Sequence, residues 1–132
     1  MPCQRPWLER YSWDFVTGQN TILCLQKSAL HKPTSDGHEK TKALWEQHYR
    51  TAVTLAEAVH LCRRCHKMAP FCFYNGNTFA AIIRDVIGTL MPELSCDDKQ
   101  AFIIRSLAGH IVAGVASEVE VEAFQAFSDS LA

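Results

Sequence analysis

Apolar residues recur every three to four positions along most of this chain, the spacing that lines up side chains on one face of an α-helix. The longest such run extends from about His38 to Lys67, where Trp45, His48, Ala52, Leu55, Val59 and Cys62 step by three, four, three, four and three. One continuous amphipathic helix is the expectation there, closed by Pro70. A second run, Phe79, Ile82, Ile83, Val86, Ile87 and Leu90, forms one broad apolar face. Asn77 suits its N-cap, and Pro92 its end.

Ser95-Cys96-Asp97-Asp98 reads as the start of a third helix, with acidic residues at the positive end of the helix dipole. Its apolar face runs from Ala101 and Ile104 to Val112 and Val115, with Gly109 and Gly114 as points of close helix approach. Ser117-Glu118-Val119-Glu120 is a capping box that opens the last helix, with Val121, Phe124, Phe127 and Leu131 facing inward. Near the N-terminus, Asn20 or Thr21 can cap a short helix whose core positions would be Ile22, Leu25 and Ala29. Lys32 to Gly37 reads as a loop, and residues 1–19 as an irregular, aromatic-rich arm. The pattern therefore predicts an all-α fold, a compact bundle of four to five helices. The expected organisation is a single domain over residues 1–132, with the arm at 1–19 and the bundle at 20–132.

Composition agrees with a globular chain: 132 residues, 48% hydrophobic and 20% charged, long enough to bury a core without metal or disulfide staples. The formal charge of −1, from 13 basic and 14 acidic residues, provides no global attraction to nucleic acid or to an anionic membrane. Neither is an expected partner. No run approaches the ~18 consecutive apolar residues that a spanning helix needs. The opening Met1-Pro2-Cys3-Gln4-Arg5-Pro6-Trp7 lacks the apolar stretch of a secretory signal, so a cytoplasmic location is expected. In that compartment the six cysteines are expected as free thiols or metal ligands.

The stretch that invites chemistry is Cys62-Arg63-Arg64-Cys65-His66, a C-x-x-C-H. Two thiols at this spacing with an adjacent imidazole resemble the haem-attachment motif of cytochromes c, and a helical bundle of this length is similar to the cytochrome c′ group. That resemblance implies covalent haem on Cys62 and Cys65, His66 as one axial ligand, and Met91 or His110 as the other. Zinc is a second reading: Cys62 and Cys65 make one ligand pair, with His66, Cys72 and Cys96 as candidates for the rest. His60 and Glu57 fall on the opposite side of the helix with Arg64 and leave the ligand set. Thiol redox chemistry is a third, because Arg63, Arg64 and Lys67 surround the thiols with positive charge. In this respect the motif resembles helical peroxidase-like proteins of the AhpD type, although their histidine follows the second cysteine by four residues and position 69 here is Ala69.

A plain packing account competes with all three. Cys62 continues the Leu55 and Val59 stripe, Cys65 follows Ala58 and Leu61, and free cysteine behaves as a small hydrophobe. The basic residues then serve as partners for the helix C-terminus. Two aromatic groups add a different kind of candidate: Trp7 and Trp13 in the arm, and Phe71, Phe73 and Tyr74 in the loop after Pro70. They either form an interaction surface or fold inward and plug one end of the bundle. The expectation is a small cytosolic, non-catalytic protein-interaction or regulatory module, binding a protein partner or self-associating as a homodimer, with no cofactor. The alternative is a thiol redox, metal or haem site on Cys62, Cys65 and His66.

Overall fold

The aromatic arm is shorter than expected because a helix begins inside it. Ser12 adopts an extended backbone and its hydroxyl accepts from the Phe15 amide, which starts α1 (Trp13–Gln26). In this computed structural model, which describes residues 3–131, the chain then builds five more helices, six in all among the described residues. These are α2 (His38–His48), α3 (Leu55–Met68), α4 (Asn75–Leu94), α5 (Asp98–Ala113) and α6 (Glu118–Ser130). The count of four to five is corrected to six, and the arm is confined to the residues before Trp13.

The extra helix comes from a break in the longest predicted run. The chain leaves the helical path at Tyr49, and Val53 pairs with Arg5 in an antiparallel bridge, each amide donating to the other's carbonyl at 3.0 Å. Thr54 and Glu57 then form a reciprocal capping box that restarts the chain as α3. The apolar stripe steps across this break without registering it. Ala52, counted in the stripe, is exposed in the connection.

Gly37 supplies the entry to α2. It is buried so tightly against the carbonyls of Met68 and Ala69 that a Cβ there would overlap them. This close approach docks the start of α2 on the end of α3. α3 itself stops at Ala69, which takes a left-handed backbone before Pro70.

The aromatic loop closes through Asn75, whose side chain both accepts from the Phe71 amide at 2.9 Å and donates to the Phe71 carbonyl at 2.7 Å. Tyr74, in a left-handed conformation, is the N-cap of α4, so the helix starts earlier than the expected Asn77 cap. Pro92 falls within the last turn of α4 rather than ending it. Asp97, not Ser95, caps α5 in a capping box with Gln100, while the Ser117–Glu120 box opens α6 as expected. Gly114 lies at the C-cap of α5 with φ of 80°, where a left-handed backbone favours glycine.

α4 is the centre of the packing, flanked by α1, α3 and α5. Phe79, Ile83 and Ile87 of α4 meet Leu55, Val59 and Cys62 of α3, all with 0% exposure. α6 covers the far side, where the Ser128 hydroxyl accepts from the Ala56 amide at 3.0 Å. No helix among the described residues is long and apolar enough to cross a membrane.

Candidate functional site

Helix periodicity decides where the C-x-x-C-H stretch points. Cys62 and Cys65 lie on the same inward face of α3 as Leu55, Ala58 and Val59, and both are fully buried in the core. Burial pushes the Cys62 thiol well up and the Cys65 thiol to about 12, since a buried thiolate loses its hydration. The positive charge of Arg64 opposes the shift at Cys65 without overcoming it. Both thiols are therefore held neutral, the unreactive form.

His66 and Arg63 hold α3 against α5. His66 Nδ1 lies 2.8 Å from the Val112 carbonyl, which can only accept, so Nδ1 carries the proton. The same nitrogen then has no lone pair for the Arg63 guanidinium at 3.3 Å. The imidazole lies over the first turn of α4, where a Cβ on Gly76 would come within 3.0 Å of Cε1 and 3.2 Å of Nε2. The Arg63 guanidinium lies against Gly114.

The remaining metal candidates are dispersed. Cys72 is exposed in the aromatic loop and Cys96 is half-buried between α4 and α5. Among the described residues, no three His, Cys, Asp or Glu side chains converge on a point where a metal ion could bind. Haem attached to Cys62 and Cys65 would have to displace the core side chains that enclose them, so the donor set does not fit that group.

The two aromatic groups do meet, but mostly inside. Trp13 and Phe71 are buried and stack with ring centroids 5.9 Å apart and planes within 13°. His31 and His38 pack their rings on Phe71. Trp7 is half-buried, donates from Nε1 to the Val53 carbonyl at 2.8 Å and carries Arg5 over its ring. Tyr74 is half-buried. Of the five aromatic surface candidates only Phe73 is exposed; Trp13 and Phe71 leave that set because their rings plug the end of the bundle.

Two residues whose places differ from the sequence expectation organise this region. Asn20, expected as a helix cap, is fully buried in the middle of α1. Its amide donates to the Phe73 carbonyl at 2.8 Å and the Thr78 hydroxyl at 3.1 Å. Its oxygen accepts from His31 Nδ1 at 2.7 Å and lies 3.5 Å from the Cys24 thiol. Ile22, expected in the core, points the other way.

The inward face of α1 is Trp13, Val16, Asn20 and Cys24. On the opposite face lie Phe15, Gly18, Ile22 and Leu25, with Phe15, Ile22 and Leu25 exposed by 45%, 51% and 76%. A Cβ at Gly18 would meet nothing within 4 Å. Helix α1 is thus apolar on two opposite faces, and only one is covered. The signal was present in the sequence as a second stripe at 13, 16, 20 and 24, competing with the one at 22, 25 and 29.

Among the described residues the other exposed apolar side chains, Leu30 and Phe73 in their loops included, form no such line. Phe102 and Ile103 are neighbours in sequence and splay by ~100° around α5, and Val115 and Val119 flank the turn into α6.

Besides a concavity of about 690 Å³ beside Lys32, Thr34, His38 and Cys72, two more lie elsewhere among the described residues. One, of about 270 Å³, has Leu8, Tyr49, Val53 and Leu61 as apolar lining with His48, His60 and Arg64 among its polar residues. It contains Glu57, His60 and Arg64, the set that helical geometry places away from the cysteines. The other, of about 450 Å³, lies among His66, Asn75, Asn77, Arg84 and His110, where His110 is engaged by Glu120 at 2.7 Å. That hydrogen bond is the first cause holding the Glu120 carboxyl below its usual range.

No protein-family model matches the sequence, and no curated protein or solved structure matches it.

Proposed function

We propose that this chain is a non-catalytic protein-interaction module that docks another helix along the outer face of α1. The observation that carries the reading is the exposed stripe Phe15, Gly18, Ile22 and Leu25, spaced by three, four and three residues on a helix already packed on its opposite side. That spacing is the seam of a two-helix coiled coil, in which each apolar side chain inserts between those of the facing helix. Leaving three large apolar groups in water along one line is unfavourable by tens of cal/mol for each Å² exposed, and a docked helix recovers that energy.

The chemistry of the thiols points the same way. Cys62 and Cys65 are enclosed and neutral, and His66 spends its Nδ1 proton on a backbone carbonyl, so the motif acts in this reading as packing and as a tie between α3 and α5. The partner is a helix with an apolar seam and polar, uncharged flanks, because between Asp14 and Lys27 α1 offers no charge to pair with.

The test is a nuclear magnetic resonance titration of the full chain with a synthetic helical peptide carrying leucine at three–four–three spacing and glutamine on its flanks. Shifts confined to Phe15, Gly18, Ile22 and Leu25, and abolished by Ile22→Glu, are the expected result. Shifts centred on another surface, or none at peptide concentrations reaching the millimolar range, would overturn the reading.

A further inference from the structure

We infer that the concavity where α2 gives way to α3 is a binding site for a small aromatic acid, held with its ring inside and its carboxylate at the Arg64 rim. The site follows from the break in the longest apolar stripe. Because the chain leaves the helical path at Tyr49 and restarts as α3 after Thr54, the end of α2, the connection and one face of α3 surround a space of about 270 Å³. Leu8 of the arm closes it. No residue of α1 takes part, so the site stands apart from the helix-docking face.

Its walls are fixed in advance. Val53 exchanges two backbone hydrogen bonds of 3.0 Å with Arg5, and its carbonyl also accepts from Trp7 Nε1 at 2.8 Å. Leu8 and Ala58 are anchored in the core, 2% and 1% exposed. A ligand therefore meets a preformed, largely apolar surface, and little ordering cost opposes binding. The space of about 270 Å³ equals roughly nine waters of ~30 Å³ and falls just under the ~300–1,000 Å³ of drug-sized sites. It suits one ring and not a fused ring system. Tyr49, His48 and His60 all line it with rings, the kind of wall on which an aromatic ligand packs.

The polar residues select the sign of the ligand. Glu57, His60 and Arg64 share one side of α3, which sets Arg64 ~6 Å along the helix from His60 and ~10 Å from Glu57. Arg64 takes part in none of the ion pairs among the described residues. Glu57 is the one carboxylate of the lining, and its Oε1 accepts from the Thr54 amide at 3.0 Å, which keeps it at the start of α3. A carboxylate at the Arg64 end thus gains a guanidinium with paired donors and stays more than a helical turn from Glu57. An ammonium in the same place would be repelled, and a neutral group would gain the apolar contact alone.

Nuclear magnetic resonance titration of the isotope-labelled full chain with phenylacetate, to the tens-of-millimolar range, tests this. Saturable shifts at Val53, Ala58 and Leu61 are expected. Acetate, which lacks the ring, and phenylacetamide and benzylammonium, which lack the carboxylate, should each bind at least roughly tenfold more weakly. Arg64→Gln should lower phenylacetate affinity roughly tenfold, the worth of one charge-assisted pair. Lys67→Gln, which removes the same charge from α3 outside the lining, should leave it unchanged.

Absence of saturable shifts, shifts centred on His66 and Arg84 instead, or any of the three other probes binding as tightly as phenylacetate would overturn the inference. So would undiminished affinity in Arg64→Gln. A loss as large in Lys67→Gln would show attraction by net charge alone and overturn it too. Arg64 is exposed, so its variant should fold, and the comparison of probes on the unaltered chain decides the matter if it does not.

Discussion

Asn20 and Phe73 lie 53 residues apart, and the Asn20 amide donates to the Phe73 carbonyl at 2.8 Å. This bond, with those to Thr78 and His31, joins the middle of α1 to the aromatic loop, the start of α4 and the segment after α1. A buried amide with all its positions engaged fixes the rotation of α1 about its own axis. That rotation is what turns Trp13 and Val16 inward and leaves Phe15, Ile22 and Leu25 facing water.

Asn20→Leu should therefore destabilise the fold by about 1–3 kcal/mol, since it leaves the Phe73 carbonyl and the Thr78 hydroxyl without a donor. Urea unfolding followed by circular dichroism measures this. A variant as stable as wild type would show that the network does not hold α1 in place.

Two glycines should respond to alanine in opposite directions. Gly18→Ala adds a methyl in open space on a helix and should stabilise the monomer by about 0.5–1 kcal/mol. Gly37→Ala places its methyl into the Met68 and Ala69 carbonyls, which are backbone and cannot swing aside. The start of α2 then has to lift away from the end of α3. Thermal unfolding at matched concentration should raise the first midpoint and lower the second by several degrees.

The thiols should differ sharply in reactivity. Cys72 is exposed, whereas Cys62 and Cys65 are buried and held protonated, so iodoacetamide at pH 8 should modify Cys72 rapidly and the pair only as fast as the protein opens. Peptide mass spectrometry resolves the sites. Raised folded-state values also set a pH dependence. Above the ordinary thiol value of 9.0 the unfolded chain releases the Cys65 proton, while the folded chain retains it up to about 12. Stability from this group is intact below pH 9 and falls as pH rises between those limits, by about 1.4 kcal/mol per pH unit. A flat stability profile across that window would contradict the burial of Cys65.

His66 and Gly76 should be coupled. Gly76→Ala gains helix propensity but crowds the imidazole, so the gain of up to about 1 kcal/mol that alanine brings to a helix should be largely lost. His66→Ala removes the tie to Val112 and should cost about 1–3 kcal/mol. With the imidazole gone the methyl added at position 76 has room, so the double variant should be more stable than the sum predicts by about 1 kcal/mol. Additive effects would mean that the ring and the first turn of α4 do not touch.

Local sequence carried the helices but not their breaks or rotations. Capping chemistry is encoded within four residues, which is why Ser117–Glu120 could be read directly; Thr54–Glu57 has the same form and was masked by the apolar stripe running through it. The break at Tyr49–Thr54 depends on Val53 finding Arg5, a partner far away in the chain. Periodicity placed Cys62 and Cys65 on the inner face of α3 and separated them from His60 and Glu57. It could not orient α1, because that helix is apolar on both sides and its inner face is marked by a polar residue, Asn20. The exposed seam follows from that inversion and was legible only once the partners of Asn20 were known.

The most direct test of the outer face of α1 is a titration of the isotope-labelled chain with the leucine-seam helical peptide, followed residue by residue by nuclear magnetic resonance. Docking on α1 predicts saturable shifts at Phe15, Gly18, Ile22 and Leu25 and unchanged spectra for Cys62, Cys65 and the α3–α5 contact. Spectra identical at all peptide concentrations, or shifts centred on Phe102 and Ile103 instead, would contradict it.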